Sequence, residues 1–402
     1  MDWYYYIAWL IIASQLPYLA LAIHNYMYDL NRYAKRRERY RPCVALLIPC
    51  KNLDRHFEEN IMSFFNQDYD DYSLFFIVED KEDPAYKSLC KLRDNRRQHP
   101  KAPVVQLLVA GRTRLGGQKI HNLLYAYHKI PPDAEVLAFA DSDICVRPNW
   151  LSHLVHPLRK DETGLASGYR WFVPGSNNPA SVALSVINGK VAQLLGYTRY
   201  NQAWGGSMAI RLETFRKLGI ETLWAKALSD DLTLSRAVKK AGKQVEFVPG
   251  CLVASYEQMT WRELFEFGRR QFVITKVAAP GTWWFGLLST LYSLLGSWGT
   301  AALALCAAVF GRQDLALYIA VPVVFFAGQM TRAILRQAIV RKILRQDWPE
   351  LKIAAAADIL LFCFWTPLML ILILSSAFGR TIYWRGIKYK LISPTETIVL
   401  SR

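Results

Sequence analysis

Two aspartates separated by one serine, Asp141-Ser142-Asp143, directly follow the apolar run Val136-Leu137-Ala138-Phe139-Ala140. The run reads as a buried strand, so both carboxylates are expected at its mouth. Carboxylates in that place suit Mg2+ or Mn2+ shared with a phosphate-bearing substrate, because such sites leave part of the ion's shell to phosphate and water. Asp141 and Asp143 are accordingly the candidate metal ligands, with Asp141 also near the phosphates. Aspartates serve as solvated turn residues too, but the apolar run before them and Ile144-Cys145-Val146 after them weigh against simple solvation.

Two further acidic clusters occupy comparable places. Glu79-Asp80 follows the apolar residues 74–78. A carboxylate there can accept hydrogen bonds from a ribose or a base, which makes Glu79 and Asp80 candidate nucleotide contacts. Asp83, ahead of Pro84, reads equally as a helix cap or as a third nucleotide contact. Asp230-Asp231 precedes the helix-like stretch 233–241. An aspartate there can cap the helix, worth about 1 kcal/mol, or take a proton from an attacking hydroxyl, and one residue can do both.

Basic residues add capacity for anions. Lys119 closes the loop Arg112-Thr113-Arg114-Leu115-Gly116-Gly117-Gln118-Lys119, a flexible stretch able to approach phosphates although its glycines do not match a P-loop. Arg269-Arg270 lies on a helix-like stretch ahead of long apolar segments. Guanidinium groups can brace a diphosphate, while a basic helix at a bilayer surface would equally meet lipid headgroups.

Around these residues the elements that must position them can be read. Short apolar runs at 44–49, 74–78, 104–109 and 136–140 alternate with helix-compatible stretches at 58–66, 85–97 and 121–128. That alternation predicts a parallel α/β sheet, whose ligands gather at the carboxyl ends of the strands, where the acidic clusters fall. Residues 3–23 are almost all apolar and long enough to cross a hydrocarbon core that needs ~20 residues. Segments 283–310, 315–330 and 353–378 are apolar again, with Pro322 expected to bend the middle one and Trp283 and Trp284 expected at the interface. The chain thus divides into an N-terminal transmembrane helix with a basic segment (1–40), a catalytic domain (41–260), an interfacial helix (261–282) and a C-terminal transmembrane region with a tail (283–402).

The 402 residues carry a formal net charge of +16 and are 52% hydrophobic. The excess Lys and Arg cluster beside apolar segments, at 32–41, 332–345 and 380–390, as expected of a cytoplasmic face on an anionic bilayer and not of a nucleic-acid binder. The expected setting is a multi-pass integral membrane protein, in a bacterial inner membrane or its equivalent, with the catalytic domain in the cytoplasm. Counting every apolar segment as a crossing leaves the tail outside, against its own charges; a re-entrant segment would remove the conflict. The seven cysteines contain no Cys-x-x-Cys pair and are odd in number, which argues against a zinc site and a full disulfide framework.

Several motifs in order carry a family resemblance. They are Ile48-Pro49-Cys50-Lys51, Val78-Glu79-Asp80-Lys81-Glu82-Asp83-Pro84-Ala85, Gly116-Gly117-Gln118-Lys119-Ile120-His121-Asn122-Leu123 and Asp141-Ser142-Asp143. Trp204-Gly205-Gly206-Ser207-Met208, Ser229-Asp230-Asp231 and Arg269-Arg270-Gln271-Phe272 complete the set. Together they resemble the lipid-directed glycosyltransferases of families 2 and 21, the group of ceramide glucosyltransferase and bacterial hopanoid-associated enzymes.

The resemblance implies a GT-A fold, a Rossmann-like mixed α/β sheet, between N- and C-terminal transmembrane helices. It implies inverting, metal-dependent transfer of a hexose from a UDP-sugar donor to a membrane lipid acceptor. A ceramide-like sphingolipid is the expected acceptor class; a hopanoid- or diacylglycerol-directed transferase, a polysaccharide synthase and a non-catalytic nucleotide-sugar binder are the alternatives. Carried over by motif, Asp80 or Asp83 lies near the nucleotide, and Asp141 and Asp143 hold metal and diphosphate. Asp231 is the base with Asp230 beside it, and Arg270 contacts the leaving diphosphate. The family's Gln/Arg-x-x-Arg-Trp motif is altered at two places, Phe267 standing at its first position and Gln271 at its last. The missing tryptophan argues against a polymer-extruding synthase.

Overall fold

A computed structural model describes residues 3–35, 40–54, 56–96 and 103–402. The apolar runs form the middle of a seven-stranded sheet. Its strands are β1 (Val44–Pro49), β2 (Tyr72–Val78), β3 (Val104–Val109), β4 (Val136–Ala140), β5 (Thr163–Pro174), β6 (Ser207–Arg211) and β7 (Gln244–Glu257), in the order β3-β2-β1-β4-β6-β5-β7. β1 pairs in parallel with β2 and β4, and β2 with β3. β6 runs antiparallel to β4 and β5, and β5 and β7 are parallel. The sheet is therefore mixed, as a GT-A domain requires, and not parallel throughout as strand–helix alternation alone suggested.

Period-two alternation splits each central strand between two cores. Val44, Leu46 and Ile48 face one core and Ala45 and Leu47 the other, as do Leu74, Phe76 and Val78 against Phe75 and Ile77. Burial on both faces is why these strands read as unbroken apolar runs. Helix Phe57–Phe65 covers the first face through Ile61 and Phe64, and helix Gln118–Tyr127 the second through Ile120 and Leu123. Helix Pro84–Arg96 matches the third expected stretch, whose residue 97 lies outside the described residues. From β1 the sheet continues to β2 on one side and to β4 on the other, so the crevice at their carboxyl ends is a topological switch point.

Among the described residues, three helices are long and apolar enough to cross a membrane: Trp3–Arg32, Pro280–Val309 and Leu315–Ile343. The first packs on the third, Tyr4 stacking on Tyr318 at 3.9 Å beside Ala8 and Val321. The third is longer than expected and continues through Pro322. The last apolar segment departs from expectation: it is two helices, Trp348–Leu360 and Phe362–Ser375, bent by 92°. Asp358 supplies a physical reason. It is fully buried and held by Arg336 through two 2.6 Å hydrogen bonds, which tie its helix to protein. A carboxylate facing lipid without such a partner would be costly. Trp283, expected at the interface, is buried with its indole N–H on Ser376 Oγ at 2.8 Å, whereas Trp284 is exposed.

After the bend the chain returns to the catalytic domain. There β8 (Thr381–Trp384), β9 (Ile387–Ser393) and β10 (Glu396–Ser401) form an antiparallel sheet. Ile382, Ile387, Tyr389 and Leu391 pack against Leu228 and Val273, and Ile398 bridges to Leu115. The tail therefore packs on the domain of the seven-stranded sheet. Of the basic segment expected near the first helix, residues 36–39 lie outside the described residues.

Candidate active site

Asp141 and Asp143 leave β4 at the switch point. Arg170, on β5, donates to Asp141 Oδ2 at 2.8 Å and to Asp143 Oδ2 at 3.5 Å. Its guanidinium lies 4.6 Å from the centre of the Trp204 ring. Lys119, in the first turn of its helix, joins Asp141 Oδ1 at 2.8 Å to Asp230 Oδ2 at 3.0 Å and donates to the Gly205 carbonyl at 3.2 Å. Such approach needs glycine: a methyl on Gly206 would overlap the Trp204 ring and stand 2.6 Å from Asp141 Oδ2, and one on Gly205 would overlap the Asp230 carboxylate.

Electrostatics decides the charges in this cluster. Burial opposes the Lys119 ammonium, but a carboxylate at ~3 Å contributes ~5 kcal/mol at an effective dielectric of about 20. Two of them outweigh burial and raise the Lys119 pKa. Asp141, half-buried, is partly desolvated as well, yet Lys119 and Arg170 hold its carboxyl below the usual range. Asp230 moves the other way, to about 6, because burial and the neighbouring Asp231 and Asp141 charges outweigh Lys119.

Asp231 is placed by the helix Asp230–Lys240, whose N-cap is Ser229 and not an aspartate. Its Oδ1 accepts from Ser229 Oγ at 2.5 Å and from the Leu232 N–H at 2.7 Å, and its Oδ2 from the Gly205 N–H at 3.1 Å. A carboxylate offers roughly four acceptor positions, so one is left over. Asp230 and Asp231 thus differ: the first is buried against Lys119, the second half-buried.

At the end of β2, Glu79 meets Lys51 at 3.2 Å, Arg402 at 3.6 Å and Arg112 at 3.7 Å. Asp80 is more exposed and pairs with Arg112 at 3.3 Å. Asp83 caps helix Pro84–Arg96: its Oδ1 accepts from the Ala85 and Asn52 N–H groups, both at 2.9 Å. The loop 112–118, expected to be flexible, is pinned by hydrogen bonds from Thr113 N–H to Gln118 Oε1 and from Gly116 N–H to the Thr397 carbonyl, both 3.0 Å.

Arg269 and Arg270, both on helix Trp261–Ala278, serve different neighbours. Arg269 donates to the carbonyls of Ser375, Thr381 and Phe378 at 3.2, 3.1 and 3.0 Å. It fastens the corner before β8 and is engaged there, not with the acidic network. Arg270 lies 5.1 Å from the Phe267 ring and 5.9 Å from the Trp384 ring. Burial, followed by the charges of Arg385 and Arg170, lowers it to about 10. An anion entering among these guanidiniums would relieve that repulsion. Phe267 belongs to the core, edge-on to Phe172 at 5.6 Å.

Among the described residues no group of three or more His, Cys, Asp or Glu side chains could by itself hold a metal ion. Asp143 Oδ1, however, is buried without a hydrogen-bond partner. A lone free carboxylate oxygen beside a second carboxylate fits Mg2+ or Mn2+ that draws its other ligands from phosphate and water. Arg170, Arg385 and Arg402 join the network without having stood out in the sequence. Gly164 and Gly168 hid the strand that carries Arg170, and the other two carried no local signal.

The family model for glycosyl transferase family 21 matches residues 7–397. Among solved structures the chain is similar to mannosyltransferase PcManGT from Pyrobaculum calidifontis, in complex with GDP-Man and Mn2+. The two are 15% identical over 92% of this chain and 96% of that one, with a TM-score of 0.47. GalNAc-T7 with UDP, GalNAc and Mn2+ is similar at 15% identity over 59% of this chain and 51% of that one, with a TM-score of 0.39.

Proposed function

Since this glycosyltransferase belongs to glycosyl transferase family 21, we propose that it is an inverting, metal-dependent membrane enzyme that moves a hexose from a UDP-sugar to a lipid hydroxyl. A ceramide-like sphingolipid is the acceptor class in view. The observation that carries this reading is convergence. Asp141, Asp230 and Asp231 meet around Lys119 and Gly205, with Asp143 joined through Arg170. The membrane-length helices of the same chain would bring the acceptor to that site.

In the proposed reaction Asp231, with an acceptor position to spare, takes the proton of the lipid hydroxyl. The hydroxyl oxygen attacks the anomeric carbon from the face opposite the diphosphate, and the bond to UDP breaks as the new one forms. Asp143 and Asp141 would hold the divalent cation, which supplies charge to stabilise the departing diphosphate. Lys119 and Arg170 keep Asp141 ionised, and Arg270 faces the leaving phosphates. Glu79 and Asp80 accept hydrogen bonds from the uridine. The catalytic domain faces the cytoplasm, the side the basic segments indicate. A lipid that reacts at the bilayer surface avoids extraction at ~0.8 kcal/mol per CH2.

The test is incubation of the purified chain with UDP-glucose or UDP-N-acetylglucosamine, Mn2+ or Mg2+, and total lipid extract. UDP release with a new lipid carrying a β-linked sugar is expected. An α-linked product would refute inversion, and binding of UDP-sugar without turnover would refute the proposed transfer.

A further inference from the structure

The β8–β9 hairpin reaches beyond what packing of the tail requires. Trp384 pairs with Ile387 across its turn, and both central residues have left-handed backbone, φ 45° at Arg385 and 81° at Gly386. Two-residue hairpin turns of this kind favour asparagine, aspartate or glycine at their first central position. An arginine there is strained, and strain of this sort persists only where the surroundings hold it.

What holds it is the acidic network. The Arg385 guanidinium donates to the Lys51 carbonyl at 2.8 Å and lies 3.7 Å from Asp54 and 3.8 Å from Asp143. Lys51 sits on the loop after β1, next to Asn52, which is itself left-handed at φ 61°. The Arg385 side chain remains 38% exposed, so its long ion pairs are open to exchange. Trp384, its neighbour, faces Arg270 at 5.9 Å. The hairpin is seated on Leu228, the residue that leads into Ser229-Asp230-Asp231.

We infer that Arg385 is a donor-binding residue supplied by the tail: its guanidinium takes the diphosphate of the nucleotide sugar and leaves Asp143 to the divalent cation. This rests on the nucleotide-sugar reading above. Without ligand, Asp143 is neutralised by Arg170 at 3.5 Å and Arg385 at 3.8 Å. A diphosphate arriving with its cation brings both signs of charge. The cation would take the place of the guanidinium on Asp143 and the phosphate that of Asp143 on the guanidinium, while Asp54, 3.7 Å away, keeps Arg385 as its opposite charge. Asp143 Oδ1, buried and without a hydrogen-bond partner, offers the cation an acceptor not otherwise engaged. Arg170 is less exposed, at 14%, and more tightly bound to Asp141, at 2.8 Å, so it stays in place.

The test uses the full chain in detergent with Mn2+, titrated separately with UDP, inorganic pyrophosphate and uridine. Arg385→Gln is expected to weaken UDP and pyrophosphate about tenfold or more, the size of one lost hydrogen bond between charged groups. It should raise the donor KM, leave the lipid KM unchanged and leave uridine binding at the wild-type level. Arg385→Lys should recover part of the loss. Lys390→Gln, at an exposed position of the same small sheet, controls for net charge and should change nothing. Unchanged UDP and pyrophosphate affinity in Arg385→Gln overturns the assignment. So does equal weakening by Lys390→Gln, or a loss of uridine binding to match that of UDP, which would mark a collapsed hairpin. If the wild type binds pyrophosphate and not UDP, the UDP donor reading fails while the pyrophosphate titration still decides the role of Arg385.

Discussion

Replacing Asp231 with asparagine keeps the shape of the side chain and removes its capacity to take a proton. The structure dictates where the new amide nitrogen goes. On the Oδ1 side it would confront the Leu232 N–H at 2.7 Å, and on the Oδ2 side the Gly205 N–H at 3.1 Å. Donor would face donor either way, so asparagine turns its NH2 toward the longer bond and the link to Gly205 is lost. That costs ~1–3 kcal/mol of stability, within what a domain of ordinary stability, about 5–15 kcal/mol, survives. The effect on the reaction is larger. A positioned general base contributes ~100- to 10,000-fold, which is about 3–5 kcal/mol of barrier at 1.36 kcal/mol per decade. Steady-state UDP release should therefore show kcat lower by at least about a hundredfold. UDP affinity in Mn2+ should stay within about threefold, because no uridine or phosphate contact is assigned to this side chain. Turnover within about tenfold of wild type would refute Asp231 as the base. A parallel loss of UDP binding would show that the substitution acts through the Gly205 loop instead.

Other perturbations probe the rest of the site. Gly206→Ala drives a methyl into the Trp204 ring and to 2.6 Å from Asp141 Oδ2; displacement of the ring under Arg170 and of that carboxylate should lower kcat/KM on the order of a hundredfold, with circular dichroism unchanged, and normal activity would show that the loop adapts freely. Chelation with EDTA should abolish turnover and weaken UDP binding, with Mn2+ or Mg2+ restoring both; full activity in chelator would exclude the metal role of Asp143. Lys190 offers a pH test of the packing between the helices Pro179–Ala192 and Phe362–Ser375, where its Nζ donates to Thr366 Oγ1 at 3.1 Å. Burial, and then the Arg336 charge, pushes its amine down from 10.5 to about 7. Between those values the unfolded chain binds more protons than the folded one, so this group adds stability as pH rises from about 7 toward 10.5. Lys190→Met should raise the melting temperature at neutral pH and flatten its rise with pH; an unchanged slope would refute the assignment.

The parts legible in the chain were those whose signal is local. β1 to β4 read as apolar runs because both faces of a central strand are buried, and Glu79, Asp80, Asp141 and Asp143 read as strand-end carboxylates because they follow those runs directly. β5 and β7 did not, since Gly164 and Gly168 interrupt one and Pro249-Gly250 the other. The 353–378 segment read as a crossing by its hydropathy, but it is a bent pair of helices, the first tied to protein by Arg336 on Asp358, a partner no local pattern reveals.

By itself, then, the order of residues determined which segments are apolar and long enough to cross a membrane, and which carboxylates end strands. The tertiary structure alone decided that Lys119 bridges Asp141 and Asp230, that Arg269 is committed to the corner before β8, and that the tail returns with Trp384, Arg385 and Arg402 to the mouth of the sheet. The reason is physical: strand and helix patterns repeat within a few residues, whereas an ion pair across the crevice depends on strand order and on one sharp bend far along the chain.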